Sequence, residues 1–266
     1  MPEHTIKDWG PIEQEAVLII KTELSEFLVK FKSNELSFPG LRVAAPTTID
    51  FQDIYFDTPT QQLGNSKAAL RLREQPDMLA LGLKGHDSWT NSGVSRIEIE
   101  EPWSANGLAS ILHYLSFMGI DLKHPGVPIG SAKPLHIMKL IGLRPIQSRS
   151  LKRKLWPISD KEDRKVCFLA LDIVTLNISS NQIKFGELEI ELTDGSISVI
   201  RGIVDTLIYN YPELLKSWRY SKLQTGGAIE SLFKSANIKL VNDNGELTAA
   251  GISHAEQLLR KAESVN

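Results

Sequence analysis

Segment after segment of this chain alternates charged and aliphatic residues, and that alternation restricts the fold more than any other feature. In "ELEIEL" at 187–192, Glu187, Glu189 and Glu191 take every second position, with Leu188, Ile190 and Leu192 between them. Side chains of a β-strand point alternately to its two faces, so such a segment is a strand with one face of fixed charge and one of aliphatic carbon. In "ALRLRE" Arg71 and Arg73 oppose Leu70 and Leu72, and in "SRIEIEE" Arg96, Glu98 and Glu100 oppose Ile97 and Ile99. Glu13 and Glu15 share a parity in "EQEAVLII", Arg149 and Arg153 share one in "SRSLKRK", and Lys84 ends "LGLKG". A single amphipathic strand whose polar face meets water would need no further explanation. The recurrence does.

With "TIDFQDIYFD", "IQSRSLKRKLW", "KVCFLALDIVTL" and "QIKFGELEIEL", these segments predict about eight strands. Two helices connect them: "ANGLASILHYLSFMG", with Leu108, Ile111, Leu112 and Leu115 at helical spacing and a closing Gly119, and "SISVIRGIVDTLIYNYP", which ends at Pro212. The tail "LTAAGISHAEQLLRKAESVN" predicts a short amphipathic helix. Between them "HPGVPIGSAKP" at 124–134 reads as a loop or as a boundary between two halves. On either side of it, strands lead to a carboxylate-rich strand and then a helix, a loose duplication that could close two halves into one barrel.

At 266 residues, 42% of them apolar and 23% charged, the chain is long enough for one large domain or two small ones. A formal charge of -2 gives no global basic field, which argues against nucleic-acid binding through bulk electrostatics. No stretch approaches the roughly 20 apolar residues that span a bilayer, and the N-terminus lacks a basic segment followed by an apolar run, so the chain reads as cytoplasmic, without a membrane partner. Cys167 is the only cysteine, which excludes an intramolecular disulfide and a cysteine-based zinc site; within "KVCFLAL" it reads as a core hydrophobe.

Two arrangements satisfy the alternation. With the charged faces outward, the aliphatic faces form an ordinary barrel or sandwich core. With the charged faces lining an interior, the aliphatic faces must be covered by helices. Opposite charges enclosed together are costly unless paired or matched by a ligand. A polyphosphate with a divalent cation is such a match: arginine and lysine hold its oxygens, and carboxylates hold Mg²⁺ or Mn²⁺. Periodicity alone leaves both arrangements open.

The order of "EQE", "YFDTPTQQLGNSKAALRLRE", "LKG", "RIEIEE", "RPIQSRSLKRKLW", "LALD", "ELEIEL" and "YSKLQTGG" resembles the CYTH family, the triphosphate tunnel metalloenzymes, over about residues 12–227. The resemblance implies an α+β fold: an eight-stranded antiparallel β-barrel tunnel with a charged interior and helices packed outside. It implies a single domain over 1–266, with 228–266 a C-terminal helical extension. Arg71, Arg73, Lys84, Arg96, Arg153 and Lys222 match the family's triphosphate-binding positions, with Arg149 a looser match. Of these, Lys84, Arg153 and Lys222 would act directly in catalysis. Glu13, Glu15, Glu98, Glu100, Glu189 and Glu191 match the metal-binding carboxylates, Asp172 in "LALD" is a further acidic candidate, and Glu187 is the spare.

The activity so implied is hydrolysis of a phosphoanhydride with Mg²⁺ or Mn²⁺: inorganic triphosphate first, then a nucleoside or thiamine triphosphate. A triphosphate-containing small molecule would be the partner, and a homodimer is compatible with it. The family also supports class IV adenylyl cyclase chemistry, and a non-catalytic polyphosphate or nucleotide sensor is a third reading. The last gains weight from one departure: the first-strand signature calls for lysine two residues after the second glutamate, and this chain has Val17. Lys21 has the right parity but lies roughly 13 Å along the strand. Lys84, Arg149 or Lys222 must then supply the charge, or the substrate or activity differs.

Other features read as structural. Asp57 in "YFDTP" caps a turn. The histidines lack metal-ligand spacing, the tryptophans are too scattered for a stacking platform, "GLKG" and "TGGA" lack the strand-loop-helix context of phosphate loops, and "DKEDRK" reads as a solvated hairpin.

Overall fold

The structure, a computed structural model, describes residues 12–90, 93–179, 181–235 and 240–264. In chain order the elements are β1 (Ile12–Ile20), α1 (Leu24–Lys30), β2 (Arg42–Val43), β3 (Thr47–Asp57), α2 (Gln62–Asn65), β4 (Ala69–Gln75), β5 (Met78–Thr90), β6 (Gly93–Pro102), α3 (Ala105–Phe117), α4 (Pro134–Leu140), β7 (Arg144–Ser159), β8 (Lys165–Ile178), β9 (Asn181–Leu192), α5 (Ile197–Asn210), β10 (Leu215–Trp218), α6 (Lys222–Ser235) and α7 (Ala249–Glu263). All eight alternating segments are strands, and the two connecting helices and the tail helix form where the pattern places them. The short β2, β10, α1, α2 and α4 are additions, each with too few residues to establish a period.

The chain groups into two compact units, one comprising Glu13, Phe51–Trp89 and Ser95–Ser148, the other Gln14–Asp50, Thr90–Val94 and Arg149–Asn266. In the first, β4 pairs antiparallel with β3 on one side and β5 on the other, and β6 follows β5. The aliphatic faces supply Phe56, Leu70, Leu72, Leu81, Leu83, Ile97 and Ile99, which pack against Leu108, Ile111 and Leu115 of α3 and Ile137 and Met138 of α4. Full burial of such side chains contributes about 1.5–3 kcal/mol each, which makes this face the adhesive of the unit. Helix α3 starts where the Ser104 hydroxyl accepts a 2.9 Å bond from the Gly107 N–H, and it stops at Gly119, whose φ of +75° a side chain would oppose.

In the second unit β8 lies between β7 and β9; β1 pairs antiparallel with both β9 and β10, and β2 adds to the end of β7. Leu18, Ile20, Trp156, Ile158, Leu169, Leu171, Leu188 and Ile190 pack beneath Leu24 and Phe27 of α1 and Ile200, Ile203 and Leu207 of α5. Cys167 sits in this core, and burial pushes its thiol up to about 12, so it is the inert hydrophobe its context suggests.

Within each unit, then, helices cover the aliphatic faces and the charged residues occupy the opposite face of the same strands. Helices over the aliphatic faces are what the second of the two arrangements requires, in an α+β fold. The loop at 124–134 lies inside the first unit and does not divide the chain. The duplication shows differently: carboxylate strand β6 leads into α3 in one unit, and β9 leads into α5 in the other. Among the described residues, no helix is long and apolar enough to cross a membrane.

Candidate functional site

In the second unit Arg153 faces Asp172 across the β7–β8 pair, and Asp172 faces Glu187 across the β8–β9 pair, so three charges stand in one cross-strand row. The Arg153 guanidinium donates Nε to Asp172 Oδ1 at 2.7 Å and Nη2 to Asp172 Oδ2 at 2.6 Å, and Nη2 also reaches Glu189 Oε2 at 2.6 Å. The Lys222 ammonium contacts Glu187, Glu189 and, at 3.0 Å, Asp172. One oxygen each from Asp172, Glu187 and Glu189 lie within 4.8 Å of one another. Lys222 is the first residue of α6, where the helix dipole disfavours a cation; three carboxylates outweigh that.

Burial shapes the electrostatics. It opposes charge on Asp172, but the Lys222 ammonium and the Arg153 guanidinium overcome it and hold the Asp172 carboxyl below its usual range. For Glu187 the balance reverses. Burial, reinforced by Glu189 and Asp172, lifts its carboxyl above the usual range despite Lys222. Lys222 itself is raised, since Glu187, Glu189 and Asp172 together outweigh its burial. The cluster thus holds one firmly ionised carboxylate and one reluctant to ionise, side by side.

A second cluster lies on the charged face of the first unit. Lys84 Nζ contacts Glu13 Oε2 at 2.9 Å and Glu98 Oε2 at 2.7 Å, and Arg71 Nη2 contacts Glu98 Oε1 and Glu100 Oε2, each at 3.2 Å. The order Glu13, Lys84, Glu98, Arg71, Glu100 alternates in sign. Burial resists charge on Glu98, but the Lys84 ammonium and then Arg71 bring its carboxyl down to about 2. Arg73 is held by Asp53, Nε to Oδ1 and Nη2 to Oδ2, both at 2.8 Å, and its guanidinium carbon lies 4.3 Å above the centre of the Phe51 ring.

Several residues singled out in the sequence fall elsewhere. Arg149 is buried on the same face of β7 as Arg153 but faces Leu176, four residues along β8 from Asp172. Glu15 and Glu191 face each other directly across the β1–β9 pair, a like-charge opposition that costs stability unless a cation compensates. Glu191 adds to the negative field at Arg153. The side chain of Arg96 lies outside the described residues. Lys21 Nζ donates to the Pro212 carbonyl at 2.6 Å, so it supplies nothing at Val17. The Asp57 carboxylate accepts from the Thr58, Leu63 and Gly64 N–H groups at 2.7, 3.0 and 3.1 Å, which is the capping role its context suggests.

Two placements were not anticipated. Glu187, the spare on the sequence reading, is a full member of the second unit's cluster. Asp53 is a buried partner of Arg73 that the charge alternation does not single out; its signal is "DFQDIYFD", where it shares a parity with Tyr55 and Asp57 on a strand otherwise rich in apolar residues.

The HpAC1 protein from Hippeastrum, described as having a dominant triphosphatase activity, is 18% identical to this chain, covering 85% of it and 97% of its own length at a TM-score of 0.49. The crystal structure of the bh2851 protein from Bacillus halodurans gives 17% identity, 80% and 97% coverage and a TM-score of 0.46. The PH1819 protein from Pyrococcus horikoshii OT3 gives 17%, 84% and 99%, and 0.44. No curated protein matches the chain. The CYTH domain family model matches residues 19–213, beginning after Glu13, Glu15 and Val17 and ending before Lys222. That span is more than two thirds of the sequence and includes Arg71, Lys84, Glu98, Arg153, Asp172 and the "ELEIEL" strand, so the chain belongs to the CYTH domain family.

Proposed function

We propose that this protein is a divalent-metal-dependent hydrolase of triphosphate compounds, with inorganic triphosphate the first substrate to consider and nucleoside or thiamine triphosphate next. The observation that carries the reading is the joint burial of Arg153 and Lys222 with Asp172, Glu187 and Glu189 on a strand face. Membership of the CYTH domain family supports it. Burying so much charge brings no stability over well-packed apolar side chains, so its retention argues for a ligand.

The donor set suits the metal. Asp172, Glu187 and Glu189 offer only carboxylate oxygens, the hard ligands that Mg²⁺ and Mn²⁺ take, and their spacing allows one ion to meet all three. Bound there, the ion would neutralise phosphate oxygens and make a water molecule more acidic. Arg153 presents a planar fork that matches phosphate oxygens, and Asp172 fixes its orientation through two bonds. Lys222, held by Asp172, Glu187 and Glu189, supplies a compact point charge that would stabilise negative charge on a phosphate oxygen. In the first unit Arg71 and Lys84, restrained by Glu98, Glu100 and Glu13, offer cationic donors of the same chemical kind.

Phosphate release from inorganic triphosphate, ATP and thiamine triphosphate is the test, with Mg²⁺ or Mn²⁺, with EDTA, and with Glu189→Gln as control. Metal-dependent release lost in the control supports a triphosphatase and ranks the substrates. Binding of inorganic triphosphate by calorimetry without release from any of them would overturn the reading in favour of a sensor, with Val17 marking the lost chemistry.

A further inference from the structure

Gly82 lies inside β5, where glycine is less favourable than alanine. Its backbone is not in the left-handed region, so conformation does not require it. Space does. In the β4–β5 register Gly82 is the partner of Arg71, and a Cβ built on it would stand 2.9 Å from Arg71 Nε, 3.2 Å from Cγ and 3.5 Å from Cζ.

The strand order explains the approach. β5 lies between β4, which carries Arg71, and β6, which carries Glu98 and Glu100. To reach those carboxylates Arg71 must cross a whole strand, two spacings of about 4.8 Å, and it does so by lying flat on β5 at Gly82, the glycine whose parity puts it on that face. Beside it, the partner of Arg73 is Ala80, also small. The tight passage leaves Arg71 Nε buried without a hydrogen-bond partner among the described residues, an expensive state that an otherwise idle contact would not sustain.

We infer that Gly82 is a positioning residue: it opens the lane across β5 that sets the Arg71 guanidinium between Glu98 and Glu100, where Arg71 can receive a phosphate oxygen of an anionic ligand. The last clause rests on the function proposed above; the placement of Arg71 does not. A side chain at 82 displaces Arg71 from this lane and so from its position between Glu98 and Glu100.

Two readouts on Gly82→Ala separate the parts. The Nε–H resonance of Arg71, assigned by its loss in Arg71→Met, reports placement without any ligand. It is expected to shift in Gly82→Ala, and an unchanged resonance overturns the inference. Calorimetry with inorganic triphosphate and Mg²⁺ is expected to show about tenfold weaker binding in Gly82→Ala, the scale of one or two charge-assisted hydrogen bonds. In the Arg71→Met background the same substitution is expected to add nothing, and an equal loss in both backgrounds would overturn the inference. If the unaltered protein binds no triphosphate, the proposed function fails, and the resonance alone still decides the role of Gly82.

Discussion

Val17 and Glu189 are direct partners across the β1–β9 pair, and the ammonium that meets Glu189 comes from Lys222, 33 residues further along the chain. Position 17 is therefore apolar, yet its cross-strand neighbour has a cation. The charge at that carboxylate comes from the first turn of α6 and not from β1.

Substituting Val17→Lys in the otherwise unchanged protein should leave the rate of phosphate release within about threefold, because Glu189 already has its partner. Lys222→Met should lower the rate by about a hundredfold, the usual scale for loss of one preorganised donor, and Val17→Lys should restore part of it in that background. A tenfold gain from Val17→Lys alone would show that Lys222 does not cover the missing charge.

Asp53 and Arg73 form a buried pair with both carboxylate oxygens engaged. Asp53→Ala strands a buried guanidinium and should lower the free energy of unfolding by about 3–5 kcal/mol, whereas Asp53→Leu combined with Arg73→Met should cost far less. Urea denaturation of the single and double variants reads the difference. Equal losses would mean that the pair is not coupled.

Acid should find Glu98. Its folded carboxyl is depressed to about 2 from an ordinary 4.5, so the native state resists taking up a proton that the unfolded chain accepts. Stability from this group is complete above pH 4.5 and is lost as the pH falls towards 2, with a slope approaching about 1.4 kcal/mol per pH unit. Glu98→Gln should remove that contribution to the slope. If unfolding free energies of the two proteins run parallel between those pH values, Lys84 and Arg71 do not hold Glu98 in solution.

Mg²⁺ or Mn²⁺ should stabilise the folded chain by mass action, by about 2.7 kcal/mol at a hundred times the dissociation constant, which corresponds to roughly 5–10 °C in the melting temperature. Asp172→Asn should shrink that shift. An unchanged melting temperature across the cation titration would remove Asp172, Glu187 and Glu189 as its holders.

How much of this was legible depends on the kind of information. Strand identity was, because the period of two survives in every alternating segment, from "ALRLRE" to "ELEIEL". Which face carries charge was also legible, while what covers the other face was not: that depended on α3, α4, α1 and α5, and only α3 and α5 carry enough residues to announce themselves. Within the site, single-strand parity could not rank Glu187 against Glu189 and Glu191, which share a face. The ranking comes from cross-strand register, which sets Glu187 opposite Asp172 and Glu191 opposite Phe168. Asp53 escaped notice because its partner lies on the neighbouring strand, and no spacing within "TIDFQDIYFD" reveals a partner.

The pairing of β1 with β9 joins residues 15–19 to residues 187–191. A ribosome adding about 5–20 residues per second makes the first of these strands roughly 10–35 s before the second exists. During that interval β1, with Leu18, Ile19 and Ile20 buried in the finished fold, has no β9 to pair with. The carboxylates at its head then have a further consequence: Glu13 and Glu15 keep charged an apolar strand that still lacks β9, and so less ready to pair with the same strand of a neighbouring nascent chain.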